Sequence, residues 1–103
     1  MKPGYIYKLN FPYEERQGAK KRPVLIIVIS DDNDQALGLK ITGTERYNRI
    51  PIKNSPDSGL VKDSHVQIDR YQLFYNVQKT EIGRLSAYDF KRVVNAFQEF
   101  HDL

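Results

Sequence analysis

With 103 residues, 40% of them hydrophobic and 28% charged, the chain has the composition of a single globular domain and neither a disordered nor a fibrous class is suggested. The absence of cysteine excludes disulfides and thiolate metal sites, and His65 and His101 alone argue against a histidine-built metal centre, so chemistry without metal or other cofactor is expected. A formal net charge of +3 permits a polyanionic partner without demanding one. No apolar run approaches the ~20 residues that span a bilayer, and the N-terminus lacks a signal-like order of basic and apolar segments, so a cytoplasmic location without membrane contact is the default.

In chain order, Tyr5 to Phe11 reads as a short aromatic strand, followed by a polar loop, Pro12 to Ala19. Lys20, Lys21 and Arg22 then run into the β-branched segment Pro23 to Ser30, and Arg22 to Ser30 reads as the second strand. Three charges cannot be buried without partners, so they belong at the mouth of that strand, where an anion can meet them. After the turn signal Asp31 to Asp34, Ala36 to Thr42 reads as a third strand with Leu37, Leu39 and Ile41 on one face and Lys40 and Thr42 on the other. Arg16, Lys20, Lys21 and Arg22 crowd one loop, and Lys40, Arg46, Arg49 and Lys53 the next hairpin.

A fourth strand is expected over Arg49 to Lys53, at an edge because Pro51 removes a ladder donor. Asn54 to Gly59 is loop by composition, and Ser64 to Arg70 alternates with Val66 and Ile68 inward and His65, Gln67 and Asp69 outward. Tyr71 to Val77 continues as strand or bends, since its aromatics break the period. Ser86 caps a helix with Asp89 at its third position, and Phe90, Val93, Val94, Phe97 and Phe100 recur at helical spacing as a core or dimer face. The whole is mainly β with a C-terminal helix, a small curled sheet capped by that helix.

Several of these segments together resemble the MazF/PemK family of toxin endoribonucleases from type II toxin-antitoxin systems. The opening has the family's order of strand, polar loop and Arg22-Pro23 before an apolar strand, and Leu39-Lys40-Ile41-Thr42-Gly43 resembles its strand ending in threonine. Gly59 to Ser64 followed by Val66-Gln67-Ile68-Asp69 resembles its glycine-leucine, lysine, serine, strand, aspartate block, and Ile82 to Ser86 its closing segment. The resemblance implies a small SH3-like barrel of the CcdB/MazF/PemK kind over residues 1–103, a homodimer, and a cognate acidic antitoxin. It also implies metal-independent, sequence-specific cleavage of single-stranded RNA to 2',3'-cyclic phosphate and 5'-hydroxyl ends.

That reaction needs a base for the 2'-hydroxyl, a stabiliser for the charged phosphorane and an acid for the leaving 5'-oxygen. Arginine suits the second role because its planar guanidinium grips two phosphate oxygens. Taken alone, Arg22 reads as a solvated surface charge and Thr42 as an ordinary β-branched residue; the resemblance makes both catalytic. RNA contacts are expected from Arg16, Gln17, Lys20, Lys21, Thr44, Gln67, Asp69 and Arg70. The base and acid stay open, with Glu14, Glu15 and Gln17 undivided in the first loop. His65 is of a residue type suited to proton transfer, yet the family does not depend on a histidine there. Tyr13, Tyr47 and Tyr71 can stack unpaired bases or serve as core and dimer contacts.

Two departures stand out: Gly43 where the family usually has serine, and Arg70-Tyr71-Gln72 where it has glutamine, an apolar residue and arginine. Other functions on such a barrel are a non-catalytic binding module and a protein-directed poison like the gyrase inhibitor CcdB. The pairing of Arg22 with Thr42 argues against both.

Overall fold

The computed structural model describes residues 1–75 and 80–103. Alternating apolar residues form strand β1, Tyr5–Pro12, which pairs antiparallel with β2, Ala19–Ile29. The second strand thus begins at Ala19 rather than Arg22, because Lys20 and Lys21 join the ladder opposite Phe11 and Asn10 although they reach past the core. Strand β3, Gln35–Thr42, pairs with β2 across a bulge near Ile27 that bends the ribbon.

The far edge of β3 is shared. Strand β5, Ser64–Gln67, takes Ile41 and Thr42, while β6, Gln72–Tyr75, takes Gln35 to Gly38. Strand β4, Arg49–Ile52, pairs with β5 at the sheet's end, as Pro51 required, and β7, Gly83–Arg84, pairs with β1 at the other end. The sheet order β4-β5-β3-β2-β1-β7, with β6 off this path, is a curled antiparallel half-barrel. Two expectations shorten here: the strand read from Ser64 to Arg70 stops at Gln67, and the segment left open from Tyr71 is strand over Gln72–Tyr75, with Val77 outside the described residues.

Apolar side chains from the two faces of the curled sheet build two cores. Ile6, Leu25, Leu39, Ile41, Ile52, Val66 and Ile68 pack with Val93 and Phe97 of helix α1, Ala87–Phe100. Tyr7, Leu9, Phe11, Val24, Ile26 and Ala36 form the second, covered by Phe74. The Ser86 hydroxyl caps α1 by accepting from the Asp89 N–H at 3.1 Å. Buried Asp89 in turn accepts from the Lys53 backbone N–H at 3.2 Å and pairs with Arg92 at 2.8 Å, tying the helix start to the end of β4. Helical spacing put Phe100 on the same face as Phe97, but the helix runs past the sheet there, leaving Phe100 46% exposed against His101 while Phe97 is core. His101 Nε2 donates at 2.8 Å to the Ile68 carbonyl and its ring packs on Phe97, closing the helix end over the β5–β6 bend.

Two motif glycines lock the site's outer wall. Gly59, at φ 70°, ends the 3-10 turn Pro56–Ser58, and a Cβ there would overlap the Ile82 carbonyl. A Cβ on Gly83 would overlap the Ser58 carbonyl in return. Backbone therefore meets backbone between this turn and β7, which only glycine permits.

Candidate active site

Strand register brings the polar residues onto one face. Leu9 lies opposite Arg22, and Val24 opposite Lys40, so Arg22 shares the face of Val24 and Thr42 that of Lys40. Extending the Val24–Lys40 register one alternation toward the strand ends sets Arg22 across from Thr42. On the other side of β3, Thr42 pairs with His65, and Gln67 pairs with Arg49. Arg22, Lys40, Thr42, His65, Gln67 and Arg49 are therefore neighbours on a single sheet face, although the sequence separates them widely.

The β1–β2 loop folds over this face. Its closure is a hydrogen bond from the Tyr13 N–H to the Gly18 carbonyl at 3.1 Å, and Arg16 lies 4.2 Å over the Tyr13 ring. Glu14 projects from the loop, and one carboxylate oxygen collects three partners: the Gln67 amide donates at 2.6 Å, Arg70 approaches at 3.5 Å and Lys40 at 3.8 Å. Arg70 also donates to the Pro12 carbonyl at 3.3 Å and rests 5.4 Å from the Phe11 ring centre. The Gln67 hydrogen bond, helped by Lys40 and Arg70 against the cost of burial, holds the Glu14 carboxyl below the usual glutamate range.

Lys40 is the enclosed cation of the group, its side chain 12% exposed. Burial first, then the Arg22 charge, pulls its ammonium below the ordinary lysine value; Arg49 and Arg70 add to this and Glu14 opposes it. Gln67 is 4% exposed, and its amide oxygen is buried with no donor among the described residues, an acceptor left open. His65 Nδ1 is likewise buried without a partner among them. The Thr42 hydroxyl accepts from the Thr44 N–H at 3.4 Å, which leaves its own proton to donate outward. Arg49 reaches the Thr44 carbonyl at 2.7 Å and fixes the turn after β3.

Two grooves meet at Arg22. One is walled by Tyr13, Glu14, Arg16, Lys40, Arg46 and Arg49. The other, about 340 Å³, is walled by Lys8, Lys20, Lys21, Thr42, Gly43 and Lys62, with no carboxylate among its lining residues. Lys62 explains Gly43: a Cβ at that glycine would lie 2.6 Å from Lys62 Cε and 2.7 Å from Nζ, so the missing side chain makes room for an ammonium group beside Thr42.

Of the residues expected from sequence, Arg22, Thr42, Lys20 and Lys21 line one groove, and Gln67 and Arg70 converge on Glu14. Arg16 lines the neighbouring groove, and Thr44 supports Thr42. Gln17 is exposed in the loop, and Asp69 lies exposed on the bend after β5, where the alternation that was to aim it with His65 and Gln67 has ended. Tyr71 packs edge-on against Phe97 and His101, which occupies it at the helix end, whereas Tyr47 is 91% exposed. Sequence reasoning placed Lys40 and Arg49 in a basic cluster and Lys62 in a motif without giving any of them a catalytic or RNA-contacting role. For Lys40 the signal was present, since alternation puts it on the face of Thr42.

A protein-family model described as PemK-like, MazF-like toxin of type II toxin-antitoxin system matches residues 2–101. No curated protein matches the chain. Among solved structures, an endoribonuclease in complex with its cognate antitoxin from a mycobacterial species is similar over 98% of this chain and 94% of that one, at 16% identity and a TM-score of 0.75. An endoribonuclease from a mycobacterial species is similar over 97% and 89%, at 14% identity and a TM-score of 0.71. At these identities the likeness concerns the fold, the expected small barrel with a C-terminal helix. The family match spans nearly the whole chain, and the chain belongs to the PemK-like, MazF-like toxins of type II toxin-antitoxin systems.

Proposed function

We propose that the protein is a sequence-specific endoribonuclease that cuts single-stranded RNA by attack of the 2'-hydroxyl on the adjacent phosphate, without a metal ion. The carrying observation is the register that sets Arg22 across from Thr42 at the meeting of two basic grooves. Arg22 grips the phosphate and stabilises the phosphorane, and the free Thr42 proton donates to a non-bridging oxygen. Glu14, the carboxylate that meets the cations of this face, takes the 2'-hydroxyl proton. Lys20, Lys21 and Lys62 follow the flanking backbone, and the open Gln67 amide oxygen suits a donor on a base edge.

Control follows from the same surface. A groove lined by lysines and free of carboxylates fits an acidic antitoxin segment lying where RNA would lie, bound competitively with RNA and more weakly at high salt. One structural neighbour was solved with its cognate antitoxin. The homodimer is proposed to form away from the helix row first expected, since Phe97 is core; Val28, Leu73 and Tyr75 are the apolar side chains left exposed on β2 and β6.

The test is incubation of the pure protein with long single-stranded RNA in excess chelator, beside duplex RNA and single-stranded DNA. Cuts confined to single-stranded RNA at a recurring short sequence are expected. A protein poison or passive binding module on this fold leaves all three intact.

A further inference from the structure

The cleavage reading leaves one role unfilled: something must protonate the 5'-oxygen as it departs. We infer that Lys40 is the general acid, delivering a proton from its ammonium group to that oxygen, an assignment that rests on the endoribonuclease reading above.

Four observations carry it. Lys40 and Thr42 alternate on one strand face, their Cα atoms about 7 Å apart along β3, a spacing a lysine's four-carbon stem can span. Arg22 stands across the ladder from Thr42 on the same face, so the gripping guanidinium and the ammonium approach one phosphate from adjacent strands. Lys40 is nearly enclosed, and its nitrogen lies 3.8 Å from Glu14, the carboxylate assigned as base. In the groove that Glu14 lines, the cations other than Lys40 are Arg16, Arg22, Arg46 and Arg49, and Arg70 also meets Glu14; arginines hold their protons too tightly to give them up near neutral pH, while Lys20 lines the other groove.

The charged and titratable groups around Lys40 are Glu14 from the loop, Arg22 from β2, Arg49 from β4 and Arg70 from the bend after β5, with His65 on β5 opposite Thr42. Burial and the three arginines outweigh Glu14 and make this ammonium a stronger acid than a free lysine. A donor whose pKa falls toward the working pH transfers its proton more readily.

In the step itself, the 2'-oxygen forms a bond to phosphorus as the bond from phosphorus to the 5'-oxygen breaks. The 2'-hydroxyl proton passes to Glu14, and the 5'-oxygen takes the Lys40 proton, leaving a 2',3'-cyclic phosphate, a 5'-hydroxyl, a neutral lysine and a protonated glutamate. In-line attack needs base and acid on opposite sides of phosphorus, so the phosphate must enter between Glu14 and Lys40 and part them. Glu14 is on a loop and can yield; Lys40 is mid-sheet and stays. When the products leave, the pair re-forms and the proton on Glu14 returns to Lys40, which resets the site.

The experiment compares a short RNA containing one cleavage site with the same RNA carrying sulfur in place of the bridging 5'-oxygen there. A thiolate departs without protonation, so loss of the acid is repaired by sulfur and loss of a phosphate ligand is not. Lys40→Met keeps the stem without the charge, and Lys40→Arg keeps the charge without a usable proton. Both variants are expected to cut the oxygen substrate about 100-fold to 10,000-fold more slowly than wild type and the sulfur substrate at nearly the wild-type rate. Arg22→Ala is expected to be slow on both. Equal losses on both substrates for Lys40→Met, or a near-wild-type rate for Lys40→Arg on the oxygen substrate, overturn the assignment. Wild-type protein that leaves both substrates intact overturns the endoribonuclease reading itself.

Discussion

Replacing Arg22 with alanine probes the site at its junction. The side chain is half-buried at the mouth of β2, lines both grooves, and is in no ion pair among the described residues. Its removal should therefore change stability by no more than about 0.5 kcal/mol. Loss of one preorganised donor to the phosphorane should slow cleavage ~100-fold to ~1000-fold, equivalent to about 2.7–4 kcal/mol of transition-state stabilisation. A second effect follows from Lys40. After burial, the Arg22 charge is the largest influence holding the Lys40 ammonium below its ordinary value. In Arg22→Ala that value rises, so the alkaline fall in the residual rate should move to higher pH. Arg22→Lys should return the pH profile toward wild type without restoring the rate, because a point charge lacks the bidentate fork. Single-turnover cleavage from neutral to alkaline pH, alongside thermal melts, measures all three. A folded Arg22→Ala protein that cuts at nearly the wild-type rate would refute the assignment.

Gly83→Ala forces a Cβ into the Ser58 carbonyl, with backbone on both sides and nothing flexible to yield, so a loss of about 2–4 kcal/mol is expected in urea denaturation; an unchanged midpoint would contradict the described contact. Gly43→Ser meets the mobile end of Lys62 instead, so stability should hold within about 0.5 kcal/mol while the displaced ammonium lowers affinity for a single-stranded oligonucleotide. The salt slope of that binding should become shallower by about 0.7, the share of one phosphate contact on a single strand, and an unaltered slope would remove Lys62 from the RNA path. Glu14 has a folded-state value depressed chiefly by Gln67, so its stabilising share is present at neutral pH and lost as pH drops from the ordinary glutamate value through the folded one. Glu14→Gln should flatten that acid limb slightly, its side chain being 40% exposed; an unflattened limb in pH-dependent melts would deny the carboxylate this role.

Local patterning carried the parts of the fold that depend on local physics. The Ser86 cap with Asp89, the apolar run of β2 and the edge position forced by Pro51 are each decided within a few residues. Element ends were less legible. Lys20 and Lys21 look like loop yet pair with β1, because a ladder needs only backbone, and Phe100 follows the helical period into a place where no sheet lies beneath it.

The site divides in the same way. Arg22 and Thr42 stood out through a resemblance in motif order, and the register then supplied their proximity. Glu14 and Glu15 could not be told apart, since what distinguishes Glu14 is its hydrogen bond with Gln67, fifty-three positions away in the chain, a contact no window of sequence contains. Asp69 was placed by extrapolating an alternation past the end of its strand. Lys40 was visible as a charge, but its significance lies in enclosure among arginines from other strands, which is a property of the assembled sheet.

The most direct test of the account is the chemistry of the cut ends. Single-stranded RNA treated with the pure protein in excess chelator should yield 2',3'-cyclic phosphate on one side of each break and 5'-hydroxyl on the other, read by whether a kinase labels the 5' ends without prior dephosphorylation. Fragments bearing 5'-phosphate, or cleavage that chelator abolishes, would contradict attack by the 2'-hydroxyl at the Arg22–Thr42 site.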